Sequence, residues 1–200
     1  MKTVIVTGGI GSGKSAVCRL LHARGIPVYD SDRETKSLYD RLPGLVQRLE
    51  QVLGVPLTGA DGRLDRAALS AVIFRDAAAR EKLEGVLYPL VRQDFEAWRS
   101  RQQGAPFVVL ESAVILSKPV FDGLADAVVL VTAPEEVRLR RVMARDAVDE
   151  QAVRARMAAQ EPLPPGVTVL ENAGTLEELE TAVGRVFFHK NSYICKLLKS

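Results

Sequence analysis

The sequence predicts an α/β fold in which helices cover both faces of a parallel sheet. Three observations carry that expectation. The apolar run Val4-Ile5-Val6 leads directly into Gly8-Gly9-Ile10-Gly11-Ser12-Gly13-Lys14-Ser15 and then into residues with helical spacing. The runs Phe107 to Leu110 and Ala127 to Val131 are almost continuously apolar, as strands covered on both faces are. Strand, helix and strand patterns follow one another within the first 30 residues, which implies a right-handed parallel unit.

Taken in order, residues 2–7 read as a buried strand. Residues 14–24 read as a helix with Val17, Leu20 and Leu21 on one face, closed by Gly25 with Pro27 just beyond. Ile26 to Tyr29 is the expected second strand. From about residue 33 to 103 the chain turns helical and strongly charged, broken by turns at Leu42-Pro43-Gly44 and Thr58-Gly59-Ala60-Asp61-Gly62. Leu83, Val86, Leu87, Leu90 and Val91 form a stripe that Phe95 and Trp98 extend, which reads as core. Pro89 lies within it, so a kink or a boundary is expected there. This block is too long for a simple crossover and reads as an inserted helical lobe. After the strands at 107–110 and 127–131, Pro134 to Arg145 and Asp149 to Gln160 read as helices and Gly166 to Leu170 as a fifth strand. Thr175, followed by Glu177 and Glu178, starts a last amphipathic helix with Leu176, Leu179 and Val183 inward. The tail His189 to Ser200 shows no role. The expected division is a core of 1–32, 104–137 and 166–188, a lobe of about 33–103 and a lid of about 138–165.

Bulk numbers set wide bounds. The 200 residues, 47% hydrophobic, suffice for one sizeable core. A net charge of +2 argues against a dedicated nucleic-acid or membrane-surface protein. No apolar stretch approaches a membrane span, and a start that enters a strand directly argues against a secretory leader. Cys18 and Cys195 are expected to be free thiols in a reducing cytoplasm.

The glycine-rich segment is a complete phosphate-binding loop in the one context that gives it meaning, between a strand and a helix. Glycines let successive N–H groups face phosphates, and the helix adds its positive end. Gly9, Ile10, Gly11, Ser12, Gly13, Lys14, Ser15 and Ala16 are the expected nucleotide-binding set. Lys14 suits the β- and γ-phosphates, and the Ser15 hydroxyl suits Mg²⁺. Asp30-Ser31-Asp32 follows the second strand, on the sheet edge where ligands bind. A carboxylate there suits proton acceptance or metal support, and equally a solvated turn or helix cap. Glu111, directly after an apolar strand, reads as a second metal-supporting position or as a strand-end turn residue. Arg138, Arg141 and Arg145 lie along one side of a helix, as a phosphate clamp or as a solvated charged face. Leu139 and Met143 would anchor that helix from another side.

These residues resemble the dephospho-coenzyme A kinase family over about residues 3–185. The resemblance rests on Thr7 to Ser15, Asp30-Ser31-Asp32, Gly62-Arg63-Leu64-Asp65-Arg66, Phe74, Leu83-Glu84 with Leu87 and Pro89, Arg141 to Asp146 with Arg156 and Gln160, and Asn172-Ala173-Gly174. The chain departs from the family pattern at Tyr88, at Ser112-Ala113-Val114-Ile115-Leu116 and at Gly166-Val167; Pro162, Pro164 and Pro165 stiffen the lid exit. The resemblance implies a three-layer αβα P-loop NTPase fold with a five-stranded parallel sheet, a helical acceptor-binding insertion and a helical lid. It implies ATP-dependent phosphorylation of the ribose 3′-hydroxyl of dephospho-coenzyme A. Together with the charge, the cysteines and the loop chemistry, the expectation is a cytoplasmic monomer or weak homo-oligomer that uses ATP and Mg²⁺ and needs neither nucleic acid nor membrane. By position, Asp32 would be the base, Lys14 and Arg141 would stabilise charge on the γ-phosphoryl group, and Arg145 would be a weaker candidate there. A kinase for another small acceptor, such as a nucleoside monophosphate or shikimate, is the alternative, since function lives in the site rather than the fold. A GTPase-type switch would need Asn-Lys-x-Asp, which is absent; Asn191 follows Lys190 and precedes Ser192.

Overall fold

The computed structural model describes residues 1–158 and 167–198. Five strands are hydrogen-bonded in the order β2-β3-β1-β4-β5. They are β1 (Lys2–Thr7), β2 (Val28–Asp30), β3 (Phe107–Glu111), β4 (Ala127–Thr132) and β5 (Thr168–Glu171), and every pairing is parallel. The first strand is thus central. β1 and β2 are not neighbours, because β3 lies between them. Parallel strands cannot be joined by tight turns, so the connections between them are long.

The chain divides into two compact units, Met1–Asp30 with Arg99–Ser200, and Ser31–Trp98. In the first unit the sheet packs against α1 (Lys14–Ala23) and α8 (Leu176–Val183). Val4, Val6, Val17, Leu21, Val109, Val129 and Phe107 are at or near zero exposure. Phe107 stacks on Phe187 with ring centroids 6.1 Å apart. Each such side chain contributes about 1.5–3 kcal/mol by leaving water. A smaller apolar cluster joins α6 (Glu135–Asp146) to α7 (Glu150–Ala158) through Leu139, Val142 and Val153, with Ile10 and Met143 packed against it.

The second unit contains α2 (Ser31–Arg41), α3 (Leu45–Leu53) and α4 (Arg66–Arg75), and most of α5 (Ala77–Ser100). Asp65 caps α4 by accepting from the N–H groups of Ala67 and Ala68 at 2.9 Å. A bridge from Thr58 to Leu64 closes the turn at 58–62 into a small hairpin. Glu50 steadies it by accepting from the N–H groups of Leu57 and Thr58 and from the Thr58 hydroxyl. Those bonds, the Leu57 N–H foremost, hold its carboxyl below the usual carboxylate range.

Two expectations are corrected, and one of the two alternatives at Pro89 is removed. No element boundary falls at Pro89; α5 runs through it. An interior proline costs a helix about 3 kcal/mol. Burial of Leu83, Val86, Leu87, Val91 and Phe95 along the same helix outweighs that cost. Leu176 is 63% exposed, so it does not face inward with Leu179 and Val183. It occupies the first position after Thr175, whose capping box with Glu178 sets where the helix turns begin. α8 is also not the last helix. A π-helical turn, Gly184–Phe188, and α9 (Tyr193–Leu197) follow it. Ser192 caps α9 through the Cys195 N–H at 3.0 Å, and Ile194 is fully buried in the main core. Smaller differences concern ends: β2 begins at Val28 rather than Ile26, and the helix from Asp149 begins at Glu150. Gln160, Pro162, Pro164, Pro165 and Gly166, with the corresponding part of the lid at 159–165, lie outside the described residues.

The buried Ile194 gives a stability prediction. Ile194→Ala removes a side chain from a closed core and is expected to cost about 2–5 kcal/mol. Urea unfolding would show a lower midpoint at unchanged slope. An unchanged midpoint would mean that the tail adds nothing to the core.

Candidate functional site

The loop between β1 and α1 leaves the carboxyl end of the central strand. Two of its glycines are dictated by close approach. Gly11 has φ +76°, and a Cβ there would lie 2.6 Å from the carbonyl oxygen of Arg138. Gly13 has φ +96°, and a Cβ would collide with the Asn172 amide. Any L-residue at either position would be strained by its backbone and by its neighbour. Gly13 is the N-cap of α1 and offers no side-chain cap. The start of that helix therefore has the polarity that suits an anion. The Ser12 hydroxyl is buried and makes no hydrogen bond among the described residues.

Lys14, the first residue of α1, folds back over its own loop. Its ammonium donates to the carbonyls of Gly8 at 2.7 Å and Gly9 at 3.4 Å. The next residue, Ser15, donates its hydroxyl to Glu111 Oε1 at 2.7 Å. Glu111 ends β3 and is 9% exposed. Asp30, which ends β2, is its register partner across the ladder. One turn beyond Ser15, Cys18 also bonds Glu111 through its side chain. Burial, then the Glu111 and Asp30 carboxylates, push the Cys18 thiol far above its ordinary range, so it stays protonated. α1 thus presents two donors, Ser15 and Cys18, to one carboxylate.

The arginines of α6 and α7 have different tasks. Arg138 donates from Nε to the carbonyl of Ile10 at 2.9 Å. With the Ile10 side chain in the α6–α7 cluster, this fastens the loop to α6 from both its polar and its apolar side. Arg141 donates to the backbone oxygen of Asn172 at 3.0 Å and to Asn172 Oδ1 at 3.4 Å. Arg145 is largely exposed and pairs with Asp146 at 2.6 Å. Arg156 pairs with the same aspartate at 3.0 Å. The even spacing of Arg138, Arg141 and Arg145 therefore conceals three environments: a loop carbonyl, a buried asparagine and a surface carboxylate.

Asp32 is exposed in the first turn of α2, directly after β2, where the positive helix end suits its charge. The site residue that sequence reasoning gave no role is Asn172. Its signal was its position, a buried amide just past the fifth strand, on the edge that carries the loop.

A glycine loop at the end of the central strand, with a lysine folded across it and a serine tied to the next strand's carboxylate, defines the P-loop class of nucleotide-binding proteins. A family model for dephospho-CoA kinase matches residues 2–178. The dephospho-CoA kinase of Porphyromonas gingivalis is 43% identical over 161 residues, covering 80% of this chain and 78% of its own. The crystal structure of TT1252 from Thermus thermophilus superposes with a TM-score of 0.79 at 38% identity, covering 92% of this chain and 95% of that one. The dephospho-CoA kinase from Campylobacter jejuni, 22% identical, shares the fold at a TM-score of 0.64, covering 93% of this chain and 96% of that one. The chain belongs to the dephospho-CoA kinase family. It is a kinase of the P-loop type and uses ATP. Among the described residues no helix is long and apolar enough to cross a membrane.

Proposed function

We propose that the chain transfers the γ-phosphoryl group of ATP to the ribose 3′-hydroxyl of dephospho-coenzyme A, giving coenzyme A and ADP. Family membership supports the reaction, and the Ser15–Glu111 pair on the phosphate loop is the single observation that carries the chemistry. The loop amides and the start of α1 hold the phosphates, and Lys14 exchanges its carbonyl partners for phosphate oxygens. Arg141 adds a second positive charge where negative charge gathers during transfer. Arg145, tied to Asp146, is a weaker candidate for the same task. Asp32 accepts the proton that the attacking hydroxyl loses, and the helical unit Ser31–Trp98 supplies acceptor contacts. Catalysis of this kind rests mainly on positioning and charge.

The donor set suits Mg²⁺. Ser15 and Glu111 offer hard oxygens 2.7 Å apart, and Asp30 is the next carboxylate along the sheet edge. Mg²⁺ is held in such sites by one or two carboxylates with substrate phosphates rather than by a protein cage. When bound, the ion would neutralise phosphate charge. Glu111 would keep the Ser15 hydroxyl turned to the ion, and Cys18 would keep Glu111 in place.

Glu111→Gln retains shape and removes the charge. It is expected to raise the Mg²⁺ concentration needed for half-maximal ADP release by at least about tenfold, the scale seen when a metal's supporting groups are lost. An unchanged Mg²⁺ dependence would remove Glu111 from the metal site. The reaction itself is tested by a coupled ADP-release assay with dephospho-coenzyme A, with and without Mg²⁺, beside a panel of other hydroxyl acceptors. Product mass then identifies the phosphorylated compound; phosphate on another acceptor and none on dephospho-coenzyme A would overturn the reading.

A further inference from the structure

Asn172 is 6% exposed and joins three parts of the site. Its backbone N–H donates to the carbonyl of Thr132, at the end of β4, at 2.7 Å. Its side-chain Nδ2 donates to the carbonyl of Ser12, inside the phosphate loop, at 2.8 Å. Its backbone oxygen and Oδ1 both accept from Arg141. The amide can face only one way. A carbonyl only accepts and a guanidinium only donates, so Nδ2 must meet the loop and Oδ1 must meet the arginine. Gly13 leaves the space this requires, since a Cβ there would occupy the position of the amide.

The kind of acceptor matters as much as its position. Arg145 and Arg156 are paired with Asp146, and Arg154 with Glu135, Glu136 and Glu150. Those carboxylates offset the charge they bind. Arg141 is oriented by a peptide oxygen and an amide oxygen, which direct a guanidinium without cancelling its charge. The other end of the same amide is fixed to the loop, so loop and arginine share one anchor.

We propose that Asn172 is a positioning residue for phosphoryl transfer, holding the Arg141 guanidinium, undiminished in charge, against the phosphate loop. The proposal rests on the reading of Arg141 as a charge-stabilising group. An aspartate of the same size would fail on both sides: its oxygen would face the Ser12 carbonyl, and its charge would offset that of Arg141.

The test is a double-substitution cycle on the full chain, with kcat, the KM for ATP, the dissociation constant for ATP and thermal midpoints measured for each variant. Arg141→Ala is expected to lower kcat roughly 10²–10³-fold, as loss of one preorganised donor does. Asn172→Ala is expected to lower kcat about tenfold or more while the dissociation constant for ATP changes by less than about threefold, and the double variant is expected to be no slower than Arg141→Ala alone, the non-additivity of residues acting as a unit. Asn172→Asp keeps the volume and guards against a folding failure of the alanine variant; the part of its kcat loss that comes from offsetting the Arg141 charge is expected to vanish once Arg141 is gone, leaving only the part due to its oxygen facing the Ser12 carbonyl. Losses that multiply in the double variant would overturn the proposal, since Asn172 would then act without Arg141. So would unchanged kcat for both Asn172 variants beside an impaired Arg141→Ala. An unimpaired Arg141→Ala would instead bring down the underlying reading of Arg141, and the proposal with it.

Discussion

Lys14→Ala is expected to lower turnover with ATP and dephospho-coenzyme A by roughly 10³-fold while the protein stays folded; removal of one preorganised electrostatic donor typically costs 10²–10³ in kcat, and a full positive charge belongs at the upper end. The separation of activity from stability follows from where the side chain sits. α1 is anchored by Val17, Cys18 and Leu21, all buried, on the face that meets the sheet. Lys14 lies at the start of that helix and bonds two loop carbonyls. Its loss leaves the core intact and removes one shared donor from the carbonyls of Gly8 and Gly9, in the loop rather than in the core. Initial rates from a coupled ADP assay, beside a thermal melt, check both halves. Retention of half or more of the wild-type rate would remove Lys14 from the transfer step.

Asp32→Ala is expected to produce the other large loss, about 10²–10⁴-fold in kcat, the usual contribution of a positioned proton acceptor. Asp32 is exposed, so no core contact is lost with it. Its charge at the start of α2 supports the helix by only about 0.3–1 kcal/mol. Asp30 is the informative comparison, because its carboxylate ends β2 beside Glu111 and acts on Cys18. Asp30→Ala is expected to shift the Mg²⁺ dependence more than it lowers kcat at saturating Mg²⁺. If Asp30→Ala gave the larger kcat loss at saturating Mg²⁺ and Asp32→Ala almost none, the base would have to be reassigned.

The phosphate loop was legible because its requirements are local. A glycine where φ is positive, a lysine and serine at the helix start and a strand before them are properties of consecutive residues. The placement of Glu111 was legible for a related reason: parallel strands bring their carboxyl ends to one edge, so a carboxylate after an apolar strand arrives near the loop. Ser15 and Glu111 do meet there. The arginines were less legible. Their spacing put them on one side of a helix, yet a loop carbonyl, a buried asparagine and a surface aspartate divide them into separate roles. Helical periodicity states which residues share a face and is silent on what that face meets. Leu176 failed for the same reason, since an apolar residue at a helix start is placed by its cap as well as by its pattern.

The sequence by itself determined the ligand class, the α/β character, the approximate extent of all five strands and the family, because each of these is written in short-range pattern and motif order. The tertiary structure alone decided that β3 separates β1 from β2. It also decided that α5 continues through Pro89, that the C-terminal Ile194 closes the main core, and that Asn172 joins the loop to Arg141. The physical reason is range. Glycine conformations, helix caps and alternation act over a few residues, whereas the Asn172–Ser12 bond spans 160 positions and exists only once the sheet has brought both chain segments to the same edge.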